Sequence, residues 1–193
     1  MILSRDYVGY LCHELVEGLA REQVKLGSPE VVFQKVREAV MNEMTAEDRL
    51  NDEVRALLER HAATLRDTGA SYQESFKRVK RQLLKERNVV PASGRDSGEG
   101  TKVAREKIIK LSHVVVDLLA AMKKEVELRA EKNDVRLEIV RLLNELLRAE
   151  EKMDQRVRYK ILSQKRQIVE GSQEWDILYR KYYSEEMKKL GVN

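Results

Sequence analysis

Apolar residues recur every three to four positions along most of this chain, the spacing that places one face of an α-helix against a core. Val8, Leu11, Cys12, Leu15 and Leu19 form the first such stripe. Ser4 is placed to cap it, Asp6 lies in its first turn where a carboxylate complements the helix dipole, and Gly27 ends it. Ser28-Pro29-Glu30 opens a second helix with a cap, a proline at the first helical position and a first-turn acid. Val32, Val36 and Val40 line its inner face. Thr45-Ala46-Glu47-Asp48 either caps a new helix or lies inside a long one; in the continuous case Leu50, Val54, Leu58, His61 and Leu65 extend the stripe and Glu47 falls on it. His61 is then a core or seam residue with a hydrogen-bond partner. Gly69 stops this stretch, and Ser71-Tyr72-Gln73-Glu74 is a capping box that starts a helix with Tyr72, Phe76, Val79 and Leu83 as its core residues.

The pattern then breaks. Pro91, Ser93, Gly94, Ser97, Gly98 and Gly100 mark a linker open to proteolytic nicking. Beyond it Ile108, Leu111, Val115, Leu119 and Met122 make a new helix, which Ile109, Val114, Val116 and Leu118 render apolar nearly all round, predicting deeper burial than the first. Asn133 or Asp134 caps the next helix. Its stripe, Ile139, Leu143, Leu146, Met153, Val157, Ile161 and Ile168, predicts one helix reaching to Gly171. Ser172 caps the last helix, where Trp175, Tyr179 and Tyr182 take the places of Tyr72, Phe76 and Val79.

These two series are related. At a shift of 100 positions Arg5, Leu11, His13, Val16, Leu19 and Ala20 fall on Arg105, Leu111, His113, Val116, Leu119 and Ala120. At a shift of 103, Ala46-Glu47-Asp48-Arg49-Leu50 falls on Ala149-Glu150-Glu151-Lys152-Met153. The expected fold is therefore all-α: a duplicated helical unit, a pseudo-twofold helical bundle with at least one helix longer than about 30 residues and no β-sheet. Residues 1–90 form the first repeat, 91–101 the Gly/Ser-rich linker and 102–193 the second repeat.

Composition adds limits. Charged residues are 36% of the 193, with two prolines and 5% aromatics, which suits long helices laced with ion pairs; 42% hydrophobic residues still suffice for a core. The single cysteine, Cys12, excludes an internal disulfide and fits a reducing cytosol. No secretion signal or membrane span is read, which points to a cytoplasmic protein. The net charge of +4 is concentrated between Ala70 and Val90, where Lys77, Arg78, Lys80, Arg81, Lys85 and Arg87 face only Glu74 and Glu86.

The Leu-Ser-Arg-Asp start of the first helix with Leu11-Cys12-His13, the run Ala46-Glu47-Asp48-Arg49-Leu50-Asn51-Asp52-Glu53-Val54, and Ser71-Tyr72-Gln73-Glu74 resemble the bacterial family called domain of unknown function 507. The likeness covers most of the chain, the second copy being more diverged. It implies a cytoplasmic bacterial helical protein and carries no activity, cofactor or catalytic residue.

Three constellations could bear chemistry. His13 and His113 stand off the apolar stripes, each four residues before an acid, Glu17 and Asp117; such pairs serve as helix-stabilising contacts, as partner-contacting surface, or as half of a metal or acid/base site. Glu47 and Glu150 lie on apolar faces and must be paired, neutralised or turned outward; they could also line a shared polar cavity with His13 and His113. Phe76-Lys77-Arg78-Val79-Lys80-Arg81, echoed by Arg180 and Lys181, reads first as a solvated helix face, since its aromatics are needed in the core; the mix of cations and aromatics also suits nucleic acid, or an acidic protein or lipid surface. Nothing completes a reaction: no HExxH, CxxC or phosphate-binding glycine loop occurs, and no catalytic residue, metal or cofactor is assigned. The sequence thus points to a non-enzymatic interaction or scaffold protein, monomeric or weakly dimeric, with a protein partner. Nucleic acid is the alternative partner, and a small-ligand, metal or enzymatic site at the matched His and Glu residues is a third reading.

Overall fold

The computed structural model describes residues 2–67, 69–93 and 101–192. The order helix, short strand, long helix, final helix occurs twice: α1 (Arg5–Glu22), β1 (Val24–Leu26), α2 (Pro29–Arg60), the short α3 (Ala62–Asp67) and α4 (Tyr72–Glu86), then α5 (Arg105–Ala121), β2 (Val126–Leu128), α6 (Lys132–Leu162) and α7 (Gln173–Lys189). The fold is predominantly helical, but the expectation of no β-sheet is wrong. β1 and β2 form an antiparallel pair with Val24 opposite Leu128, Lys25 opposite Glu127 and Leu26 opposite Val126. The register reads the same from either strand, and Lys25 and Glu127 make a cross-strand ion pair at 3.5 Å. Strands of three residues are too short to show an alternation, and each is stable only through a partner about a hundred positions away.

α1, α2, α5 and α6 pack on one another around this sheet, each short helix against both long ones. The predicted stripes of three helices are buried, with Leu11, Leu15 and Leu19 on α1, Val32, Val36 and Val40 on α2, and Ile139 and Leu143 on α6, whereas α4 has no buried residue and its expected core residue Tyr72 is exposed. α5 is buried to the same pattern as α1 and no deeper, with Ile109 exposed. Thr45 does not break α2: it lies inside a continuous helix, where its hydroxyl bonds back to the Met41 carbonyl at 2.8 Å. α2 instead ends at His61, which is exposed at the C-cap and not in the seam. α6 spans 31 residues but stops at Leu162, short of Gly171, although Ile168 is still buried beyond it.

Both long helices outrun the central bundle. α4 packs on the end of α2 over a separate small core of Leu50, Val54 and Leu58, whereas α7 joins Trp175, Tyr183 and Met187 to the main core of the chain. Residues 94–100 of the expected linker lie outside the described residues. Its flanks are packed: Ala92 and Val103 are buried, and the Ala104 N–H donates to the Ala92 carbonyl at 2.8 Å.

Candidate functional site

Where α7 lies against α6, two carboxylates one turn apart on α6 meet two phenols one turn apart on α7. Glu150 and Asp154 are each 2% exposed, and i, i+4 spacing puts them on one face. The Tyr179 and Tyr183 rings stack with centroids 5.7 Å apart. Tyr183 donates its hydroxyl to Glu150 Oε1 at 3.2 Å and Tyr179 donates to Asp154 Oδ1. Lys102, just ahead of α5, bridges the acids, with Nζ 3.2 Å from Glu150 Oε1 and 3.0 Å from Asp154 Oδ1. Arg158 donates from Nε to Asp154 Oδ2 at 2.7 Å, and its guanidinium lies 5.9 Å from the centroid of the Tyr179 ring.

The electrostatics separate the two acids. Burial raises the Glu150 carboxyl above its ordinary range, and Lys102 opposes this only in part. Burial acts the same way on Asp154, but the hydrogen bonds from Tyr179, Arg158 and Lys102 outweigh it and hold that carboxyl low. Both phenols are pushed far above their ordinary value, first by burial and then by the neighbouring carboxylates. A proton is thus most easily taken up at Glu150, while Asp154 stays charged and fully engaged. Beside Glu150 a cleft of about 400 Å³ opens, with Ser4, Lys102, Tyr183, Ser184 and Met187 in its wall.

Glu47, the matched acid of the first half, has its own surroundings. Lys80 of α4 reaches its Oε1 at 2.7 Å and the Ala92 N–H donates to its Oε2 at 3.1 Å. The histidines lie elsewhere. His13 is exposed, 3.5 Å from Glu14 and not paired with Glu17 among the described residues, with its ring centroid 6.0 Å from that of Phe33. His113 and Glu17 are exposed; Asp117 pairs with Lys132 at 2.7 Å, which holds its carboxyl low with His113 adding to the effect. The six candidates His13, Glu17, Glu47, His113, Asp117 and Glu150 are therefore not brought into one site, although His113 and Asp117 lie near each other on α5. Among the described residues no group of three or more His, Cys, Asp or Glu is placed to hold a metal ion, and no helix is long and apolar enough to cross a membrane.

The basic helix is sorted by direction. Lys80 pairs with Glu47 and Arg87 with Glu53, both on α2. Lys77, Arg78, Arg81 and Lys85 are exposed, and none of the four forms an ion pair among the described residues. Arg180 and Lys181 on α7 are likewise exposed, with Lys181 5.8 Å from the Tyr182 ring centroid.

Sequence reasoning missed Lys102, Lys107, Asp154 and the roles of Tyr179 and Tyr183. Lys107 is the plainest case: fully buried, it donates to the Glu43 carbonyl at 2.7 Å, the Glu43 carboxylate at 2.8 Å and the Val90 carbonyl at 2.9 Å. Its place four residues before Leu111, on the α5 stripe, was the available signal.

Residues 1–192 match the family described as protein of unknown function (DUF507), and the chain belongs to that family. No curated protein matches the chain.

Proposed function

We propose that the chain is a non-enzymatic interaction or scaffold protein of the bacterial cytoplasm, built from two related helical units, 1–90 and 102–193, joined by 91–101 and present as a monomer or weak homodimer. The observation that carries this reading is a difference between the halves on their outward faces. Tyr159 and Leu162 on α6 and Ile177 on α7 are 74%, 64% and 60% exposed. The residues 103 positions earlier are Ala56, Glu59 and Glu74. The first half shows that such positions fold with small or charged residues, so the large apolar side chains of the second half serve something other than folding. The buried acids, meanwhile, are engaged in holding helices together.

The test is capture of tagged protein from nuclease-treated bacterial lysate, comparing the native chain with a Tyr159→Ser, Leu162→Ser, Ile177→Ser variant. A protein retained by the native chain and lost by the variant is expected; equal recovery by both overturns the assignment of the surface.

A second reading has its own support in α4. Lys80 and the C-cap residue Arg87 are paired with acids of α2, while Lys77, Arg78, Arg81 and Lys85 form an exposed row, with Arg180 and Lys181 on α7 as further exposed cations. Such a row suits the phosphates of nucleic acid. Mobility shift at low salt, abolished by Lys77→Glu, Arg78→Glu and Arg81→Glu, would support it; Lys80 is left alone because its loss would strip Glu47 of its partner.

A further inference from the structure

The first half contains a bound peptide of its own. After α4 the chain returns as Val90-Pro91-Ala92, with Pro91 biasing Val90 toward an extended backbone. Ala92 is 6% exposed. Main-chain groups hold the segment: the Ala92 N–H donates to Glu47 Oε2 at 3.1 Å, the Ala92 carbonyl accepts from the Ala104 N–H at 2.8 Å, and the Val90 carbonyl accepts from Lys107 at 2.9 Å.

In the second half the corresponding place is the cleft of about 400 Å³ beside Glu150. Its wall matches by position: Glu150 for Glu47, Tyr183 for Lys80, Met187 for Leu84, Ser4 for Ala104. Two of the three main-chain contacts have counterparts there, the carboxylate and the N–H of residue 4. The third does not, because Tyr7 stands where Lys107 would be and gives its hydroxyl to the Leu146 carbonyl at 2.5 Å. The use of the carboxylate also differs. Glu47 spends Oε1 on Lys80 and Oε2 on Ala92, whereas Tyr183 and Lys102 both approach Glu150 at Oε1.

We propose that this cleft binds a short extended peptide of a partner protein, with a small residue following proline as in Val90-Pro91-Ala92, the N–H of that small residue donating to Glu150 and its carbonyl accepting from the N–H of Ser4. The site is separate from the outward apolar residues, since none of Tyr159, Leu162 and Ile177 lines it, and its failure leaves that surface untouched.

The probe is a fluorescein-labelled, end-blocked peptide with the sequence of residues 90–93, since Val192 already holds the place of Val89, titrated into the full chain and read by anisotropy. Saturable binding is expected, with about tenfold loss when the alanine is N-methylated, which removes one hydrogen bond to a charged group while leaving the protein unchanged. Ser184→Trp, at the exposed rim, abolishes binding, and a photoreactive peptide labels α7. Absence of saturable binding up to about 1 mM overturns the proposal. So do equal affinities of the methylated and unmethylated peptides, or labelling of α4 in place of α7.

Discussion

Replacing Lys107 by methionine should destabilise the protein by about 3–4 kcal/mol, because it breaks a buried ion pair from one side. The stem keeps its packing, so the cost is electrostatic. The ammonium is 0% exposed and donates to three acceptors, two of them on Glu43. Of these the Glu43 carbonyl lies inside α2, so its loss costs least. The Val90 carbonyl and the Glu43 carboxylate, whose side chain is 17% exposed, both lose their cation and are only partly open to water. Hydrogen bonds to charged groups are worth about 1.5–3 kcal/mol each, and orphaning a buried charge about 3–5 kcal/mol; partial exposure of Glu43 puts the sum toward the lower end.

Tyr7 supplies the internal control. Tyr7→Phe removes one neutral hydrogen bond to the Leu146 carbonyl at the matching place on α6 and should cost about 1 kcal/mol. Urea unfolding of both variants, with unchanged slope as the check on two-state behaviour, measures the difference. Adding Glu43→Gln to Lys107→Met should recover part of the loss, since the orphaned charge goes with it. Equal costs for Lys107→Met and Tyr7→Phe, or no recovery in the double variant, would refute the reasoning.

Three further outcomes are expected. Because burial raises the Glu150 carboxyl in the folded state, the native protein takes up a proton there before the unfolded chain does, so Glu150 favours folding more as pH falls from 7 toward 5; denaturation at both pH values should show the advantage of the native chain over Glu150→Gln growing at the lower one, and a constant difference would count against it. Cys12 is fully buried with its thiol pushed up to about 12, so a disulfide reagent should label it at the rate of opening and not of thiolate attack; prompt labelling of folded protein contradicts this. Separately expressed chains 1–93 and 101–193 should co-elute as a one-to-one complex, because β1/β2, α1/α6 and α2/α5 contacts cross between the halves; independent elution would refute it.

The helices were legible because their stripes are long and because part of their caps hold: Ser4 and Ser172 accept the hydrogen bonds that their positions predict, whereas Ser28 and Ser71 make no side-chain cap bond and α6 starts at Lys132, ahead of Asn133 and Asp134. What escaped was everything decided by a distant partner. β1 and β2 have no signal separately, and the apolar circumference of α5 concealed that Ile109 faces solvent while Lys107 does not. The matched glutamates were found through their position on apolar faces, but their partners were not, since Lys80, Ala92, Lys102 and Tyr183 come from other elements. The stripe beyond Leu162 misled for a related reason: Ile168 is buried at helical spacing but is delivered there by a non-helical segment.

The differences between the halves follow one electrostatic rule. Where Lys107 of α5 is buried against Glu43 of α2, the matching place holds the neutral pair of Tyr7 on α1 and Leu146 on α6, so both charges change together. Where α4 offers Lys80 to Glu47, α7 offers the uncharged Tyr183 to Glu150, and the missing positive charge is brought by Lys102. The second half also carries Asp154 where the first has Asn51, and that extra acid is met by Lys102 and Arg158. A buried charge left without its counter-charge costs several kcal/mol, so at each of these places a charge is accompanied by an opposite charge at its spatial neighbour. Alignment of the halves by a fixed shift finds the carboxylates, which stay, and loses their partners, which are exchanged between elements. The cleft beside Glu150 belongs to the same account: Lys102, in its wall, supplies the charge, and the place held in the first half by Ala92 is left as a walled opening at the side of α7.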